Sequence, residues 1–148
     1  MTQPLKHHNG KFLLSNGVEA WYKDGQYHRE DGPAIIRPDG SHVYYKNGKR
    51  HNENGPAVIL ANKRIEYYID GKLHCYGAPA IVDWDGYEAW YERGIVHRTN
   101  GPAVTKSTGD KYWYIHGMMI KSKERYQALA GLTDEEMTML ILKYGDIQ

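Results

Sequence analysis

One cysteine, Cys75, and one phenylalanine stand in a chain of 148 residues. A single thiol excludes an intramolecular disulfide framework and points to a reducing, cytoplasmic setting. Net charge is nearly absent too, with 19 Lys and Arg against 18 Asp and Glu. A general nucleic-acid binder carries a basic excess, so nucleic acid is not an expected partner. No stretch approaches the ~20 apolar residues of a membrane span, and the opening MTQPLKHHNGK lacks the apolar run of a signal peptide. No membrane association is expected. P-loop, dinucleotide and metalloprotease motifs are all missing.

What the chain does have is 13 Tyr, 4 Trp and 16 Gly. Tyr and Trp combine an apolar body with a polar tip and so tolerate half-burial. Many of them in a hydrophilic chain suggest a thin sheet with wet faces.

They recur on a strict period. His28, His51, His74 and His97 are each 23 residues apart, and so are Pro33, Pro56, Pro79 and Pro102, each followed by alanine. Gly25, Gly48, Gly71, Gly94 and Gly117 keep that spacing, as do Tyr22, Tyr45, Tyr68, Tyr91 and Tyr114. Immediately before these tyrosines stand Trp21, Tyr44, Tyr67, Trp90 and Trp113. A fixed period is the mark of a repeat architecture.

The punctuation gives the unit. EAWYKDGQYH sets an aromatic pair before Asp-Gly, a two-residue hairpin signal, and the recurring glycine suits a type I′ turn. A second turn recurs at Asn16-Gly17, Asp39-Gly40, Asn62-Lys63, Asp85-Gly86 and Thr108-Gly109. Proline cannot donate to a sheet ladder, so Gly-Pro-Ala marks a bend at the entry to stretches such as PAIIR and PAVIL. Ala78 replaces the usual glycine in the third copy. The expected fold is mainly β, an elongated antiparallel meander of five 23-residue hairpin repeats over residues 1–120.

The segment YYKNGKRHNENGPAVILANKRIE resembles a MORN-type repeat, and the H-R-x-x-G-P-A form is closer still to MORN-variant repeats of bacterial and phage proteins. The resemblance covers residues 10 to about 120. Some of those look-alikes are antitoxin-like, so it implies a β-hairpin repeat fold and, as a function, neutralisation of a toxin or host effector.

Residues 121–148 differ. SKERYQALAG reads as a helix ending before Gly131. Thr133-Asp134-Glu135-Glu136 then opens a second with a capping-box pattern. Met137, Leu140, Ile141 and Tyr144 follow a helical stripe, and Gly145 closes it. This small α cap covers the last repeat, whose edge needs protection, or docks a partner.

The four histidines invite a metal or catalytic reading. Zinc needs three or four ligands converging at about 2.1 Å, whereas repeats step along a sheet by roughly 10 Å. No metal and no cofactor is therefore expected. Each ring is expected to pack beside its own Gly-Pro bend and bond a backbone group there, a structural corner. Cys75 fills the slot of Arg29, Asn52 and Arg98, which suggests a variable position and no activated nucleophile.

The aromatic rows carry more weight. Alternation sends the Tyr22 row and the Trp21 row to opposite faces. Ala20, Val43 and Ala89 neighbour the tyrosines, which makes that row the better core candidate. Charged neighbours leave Trp21, Tyr44, Tyr67, Trp90 and Trp113 as half-exposed cladding or as a binding face. The expected function is non-enzymatic, with the aromatic and charged face meeting a protein partner. The alternatives are a binder of a small nucleotide signal and a purely structural repeat module.

Overall fold

The structure is a computed structural model that describes residues 8–148. Residues 1–7, part of the opening read above as free of a signal peptide, lie outside the described residues. The fold is mainly β, an antiparallel meander followed by two short helices. It forms two compact units, Met1–Lys72 and Leu73–Gln148.

In the first unit the strands Gly10–Leu13, Glu19–Lys23, Ile35–Ile36, His42–Val43, Val58–Ile59 and Ile65–Glu66 lie side by side in chain order. Their register sets Leu13 opposite Glu19, Ala20 opposite Ile35, Val43 opposite Val58 and Ile59 opposite Ile65. The second unit repeats the arrangement with Ile81–Val82, Glu88–Ala89, Val104–Thr105, Lys111–Ile115 and Met118–Ile120.

Both expected turns form. In the tight hairpins Asp24 and Gly25 have φ of 51° and 75°, and Asn47 and Gly48 have 49° and 76°. Positive φ at both central residues is the type I′ signature, which matches the twist of the flanking strands. In the second turn only the latter residue is left-handed, and there Lys63, at φ 70°, stands where the others have glycine.

In the middle repeats the aromatic pair does not lie in one strand, whereas Glu19–Lys23 and Lys111–Ile115 run unbroken through theirs. The pairing His42–Val43 stops at Tyr44, and Tyr45–Lys46 pairs instead with Lys49–Arg50 in a separate small hairpin. Tyr44 is the hinge. Its N–H donates to the Ala57 carbonyl at 2.7 Å, while its carbonyl accepts from the His51 N–H at 3.1 Å. Trp90 does the same between Ala103 and His97. One residue thus serves two ladders, and the strand breaks at Tyr44 and at Trp90.

The core of the first unit differs from the expected tyrosine row. Ile35, Val43 and Val58 form its buried cluster, with Tyr27, Tyr45 and Tyr68 packed at the rim. Of the Tyr22 row only Tyr22 is buried, and Tyr45, Tyr68, Tyr91 and Tyr114 are half-buried. The reason is the phenolic tip: the Tyr68 hydroxyl donates to Glu66 and accepts from Arg50, both at 3.1 Å, and so stays at the margin. The positions that are closed in every repeat are the small ones, Ala34, Ala57, Ala80 and Ala103, all at 0% exposure.

The second unit ends in helices α1, Lys123–Ala130, and α2, Asp134–Tyr144. Ser122 caps α1 and left-handed Gly131 ends it. Thr133 and Glu136 form the complete capping box of α2. Tyr126 and Met137 join Trp113, Ile115 and Ile120 in a buried cluster, with Leu140, Ile141 and Tyr144 packed against it. Each such side chain contributes on the order of 1.5–3 kcal/mol when fully buried, so this cluster anchors the helices.

Candidate interaction surface

The repeated histidine bonds a backbone group, but its partner lies in the next hairpin and not at its own Gly-Pro bend. Asn47 N–H donates to His28 Nδ1 at 3.0 Å and Asp70 N–H to His51 Nδ1 at 3.1 Å. Arg93 N–H donates to His74 Nδ1 at 3.1 Å and His116 N–H to His97 Nδ1 at 3.0 Å. Every donor is the first residue of a type I′ turn. Its left-handed conformation turns the N–H away from its own hairpin, and the preceding repeat's imidazole accepts it. The histidine is a clasp between neighbours.

Accepting at Nδ1 places the proton on Nε2, which faces Glu30 at 2.7 Å in the first repeat and Glu53 at 3.1 Å in the second. The His97 ring instead stacks on His116 with centroids 4.3 Å apart. Burial, helped by His116 and opposed by Glu92, lowers its pKa. Among the described residues no group of three or more His, Cys, Asp or Glu is placed to hold a metal ion. Burial pushes the Cys75 thiol up, away from the reactive thiolate.

Pro33, Pro56, Pro79 and Pro102 sit at the bends two residues ahead of the strands that follow them. Beside the proline, Arg29 lays its guanidinium on the Trp21 ring, 4.0 Å from the centroid. Its Nε donates to Asp31 at 2.7 Å and its Nη1 to the Pro33 carbonyl at 3.2 Å. Arg29 in turn holds the Asp31 carboxyl below the usual carboxylate range. Arg98 repeats the arrangement on Trp90 at 3.8 Å, with Nε to Asn100 at 2.9 Å and Nη1 to the Pro102 carbonyl at 3.0 Å.

In the two repeats that carry arginine the motif's glycine follows from this, whereas a Cβ on Gly55 would meet Asn52 only at 3.7 Å. A Cβ on Gly32 would stand 3.1 Å from Arg29 Cζ, and one on Gly101 would stand 2.9 Å from Arg98 Cζ. Where Cys75 replaces arginine, the third repeat carries Ala78 in the glycine's place. The short side chain leaves room for the methyl group.

Trp21, Tyr44, Tyr67 and Trp90 are half-buried, as expected for a contact face or cladding. Trp113 departs from that expectation: it is 2% exposed, because the helices cover it. Tyr126 meets it edge-on with centroids 4.7 Å apart. A sequence signal for this was present. In the last repeat Ile120 stands in the histidine slot, and Ile115, like Ile69 of the third copy, stands where Lys46 and Glu92 stand in others.

Between consecutive corners lie open depressions. In the first unit one of about 510 Å³ is lined by Arg29, Gly32, Tyr44, Lys46, His51 and Asn52, among others. In the second unit one of about 240 Å³ is lined by the residues two repeats on, including Cys75, Trp90, His97 and Arg98. Three repeats on from the first, the matching place is filled. There the Tyr126 hydroxyl accepts from Gly101 N–H at 3.2 Å and lies 2.8 Å from the Arg98 carbonyl and 3.0 Å from that of Gly101. Arg98 Nη2 donates to the Tyr144 hydroxyl at 3.1 Å. Burial pushes the Tyr126 pKa up to about 12.

No helix among the described residues is long and apolar enough to cross a membrane. Comparison with protein-family models and with curated proteins finds no match to this chain.

Proposed function

We propose that this chain is a non-enzymatic interaction module whose arginine-braced aromatic corners meet a protein partner. The observation that carries the reading is internal: α1 and α2 dock on the last corner and bury Trp113 there. The same chemistry stands open around Arg29, Gly32 and Tyr44, beside the Trp21 ring that Arg29 covers. Interfaces are enriched in Trp, Tyr and Arg, and hot spots concentrate in them. An arginine already fixed by two hydrogen bonds and a ring needs little further ordering when a partner arrives.

The likeness of the repeats to MORN-variant sequences, some of them antitoxin-like, supports a more specific role. In it a phage-encoded or bacterial inhibitor occludes a toxin or a defence effector in the cytoplasm.

The test is affinity capture from bacterial lysate with the parent chain, Trp21→Ala and Arg29→Ala, each variant first shown to keep the parent's circular dichroism. A partner held in defined stoichiometry by the parent and lost from both variants is expected. An identical catch from all three would contradict the reading. So would a nucleotide released on heat denaturation with no protein partner, which would favour a binder of small nucleotide signals.

A further inference from the structure

The filled corner shows what the corner chemistry selects. It offers a glycine N–H, two backbone carbonyls and an aromatic face, and the group that satisfies all of them is the phenol of Tyr126. A hydroxyl both accepts and donates. Phenylalanine would leave the N–H and carbonyls unmet, and tryptophan, a donor only, would leave the N–H unmet. Serine has the hydroxyl but no ring to set against the aromatic.

Three repeats earlier the same set recurs: Arg29 for Arg98, Gly32 for Gly101, Tyr44 for Trp113. These residues line the depression of about 510 Å³. No hydrogen bond to the Gly32 N–H or from Arg29 Nη2 is found among the described residues, whereas their counterparts meet the hydroxyls of Tyr126 and Tyr144. From this we propose that the depression beside Arg29, Gly32 and Tyr44 is a receptor for a tyrosine side chain presented by a polar surface helix of a different protein. The proposal rests on the protein-partner reading and names the residue that the partner inserts.

The flanks argue against a second copy of this chain's own tail. Around Tyr126 the apolar side of the helices packs on Ile115 and Ile120. Lys46 and His51 hold those two positions in the open depression. Met137, Leu140 and Ile141 would have to cover a lysine and an imidazole, so the occupant has polar flanks.

The test is a titration of the ¹⁵N-labelled full chain, read at the Gly32 and Gly101 amides. The probes are p-cresol, toluene, and a helical peptide of alanine, glutamate and lysine with one central tyrosine. p-Cresol is expected to move the Gly32 amide saturably with about millimolar affinity, as suits so small a ligand. Toluene should bind at least about tenfold more weakly, since it leaves the N–H unmet. The tyrosine peptide should move Gly32 at lower concentration than p-cresol, and its Tyr→Phe form should not. Gly101, already bonded to Tyr126, should stay still.

A silent Gly32, or equal response to toluene, would overturn the proposal. A response to p-cresol but not to the peptide would reassign the site to a free phenol. Movement of Gly32 on raising the chain's own concentration, without probe, would reassign it to a second copy. None of these outcomes would alter a capture that depends on Trp21 and Arg29, so the two readings fail separately.

Discussion

At the residue scale, the repeated letters resolve into pairwise requirements. Gly32 is glycine because the Arg29 guanidinium lies over its Cα, and the third repeat shows the converse with Cys75 and Ala78. Gly32→Ala should displace the guanidinium from Trp21 and cost about 0.5–1 kcal/mol, the value of the cation–π contact. Combined with Arg29→Cys the same methyl group should cost almost nothing, which a double-mutant cycle of chemical unfolding measures. Lys63 holds a left-handed φ of 70° that its four counterparts assign to glycine. Lys63→Gly should therefore stabilise by about 0.5–1 kcal/mol, relief of strain exceeding the added freedom of the unfolded chain. His97 makes stability depend on pH. Its pKa lies below the ordinary value of 6.5, chiefly through burial, so the unfolded chain takes up the proton first. The ring's contribution is complete above about pH 6.5 and is lost as pH falls through the lower folded value. The thermal midpoint should drop between pH 7.5 and 5, and less so in His97→Asn, whose amide oxygen accepts in place of Nδ1 without titrating. The spacing of these residues was legible in the sequence, whereas their partners were not. A hydrogen bond from one repeat's imidazole to the next repeat's turn exists only once hairpins stack, and no single unit contains it.

At the scale of elements, hairpins and helices were the most readable features because each is encoded locally. Asp-Gly and Asn-Gly demand the type I′ turn, and Thr133 with Glu136 writes out a capping box. The strand break at Tyr44 was hidden, since alternation of side chains looks the same whether or not the ladder changes partner there. The burial of Trp113 was equally hidden from any reading that treats repeats as identical. The replacement of histidine by Ile120 distinguishes the covered repeat, whereas the isoleucine at 115 is shared with Ile69 of the third copy. Docking of α1 depends on one hydroxyl. Tyr126→Phe strands the Gly101 N–H in a closed site and should cost about 1–3 kcal/mol. Urea unfolding checks this, and the helical signal should be lost no later than the sheet signal. If Tyr126→Phe matched the parent, the hydroxyl would have no part in seating the helix.

At the scale of the molecule, a nearly neutral chain with one cysteine builds its structure from a small corner used again and again. Imidazole to turn N–H ties one hairpin to the next, arginine on an aromatic ring braces the bend at Arg29 and Arg98, and alanine closes the space beneath. This economy explains why the histidines recur without gathering into a centre: each is consumed by its neighbour's backbone. The surface function proposed above follows from the same repetition, because a corner that receives the chain's own helix in one place stands open in another. The most direct test is a long-range ¹H–¹⁵N correlation spectrum of the imidazoles at pH 7.5. The clasp requires His28, His51, His74 and His97 to share one tautomer, with the proton on Nε2 and a hydrogen-bond-accepting Nδ1. Protons on Nδ1, or four dissimilar rings, would contradict it.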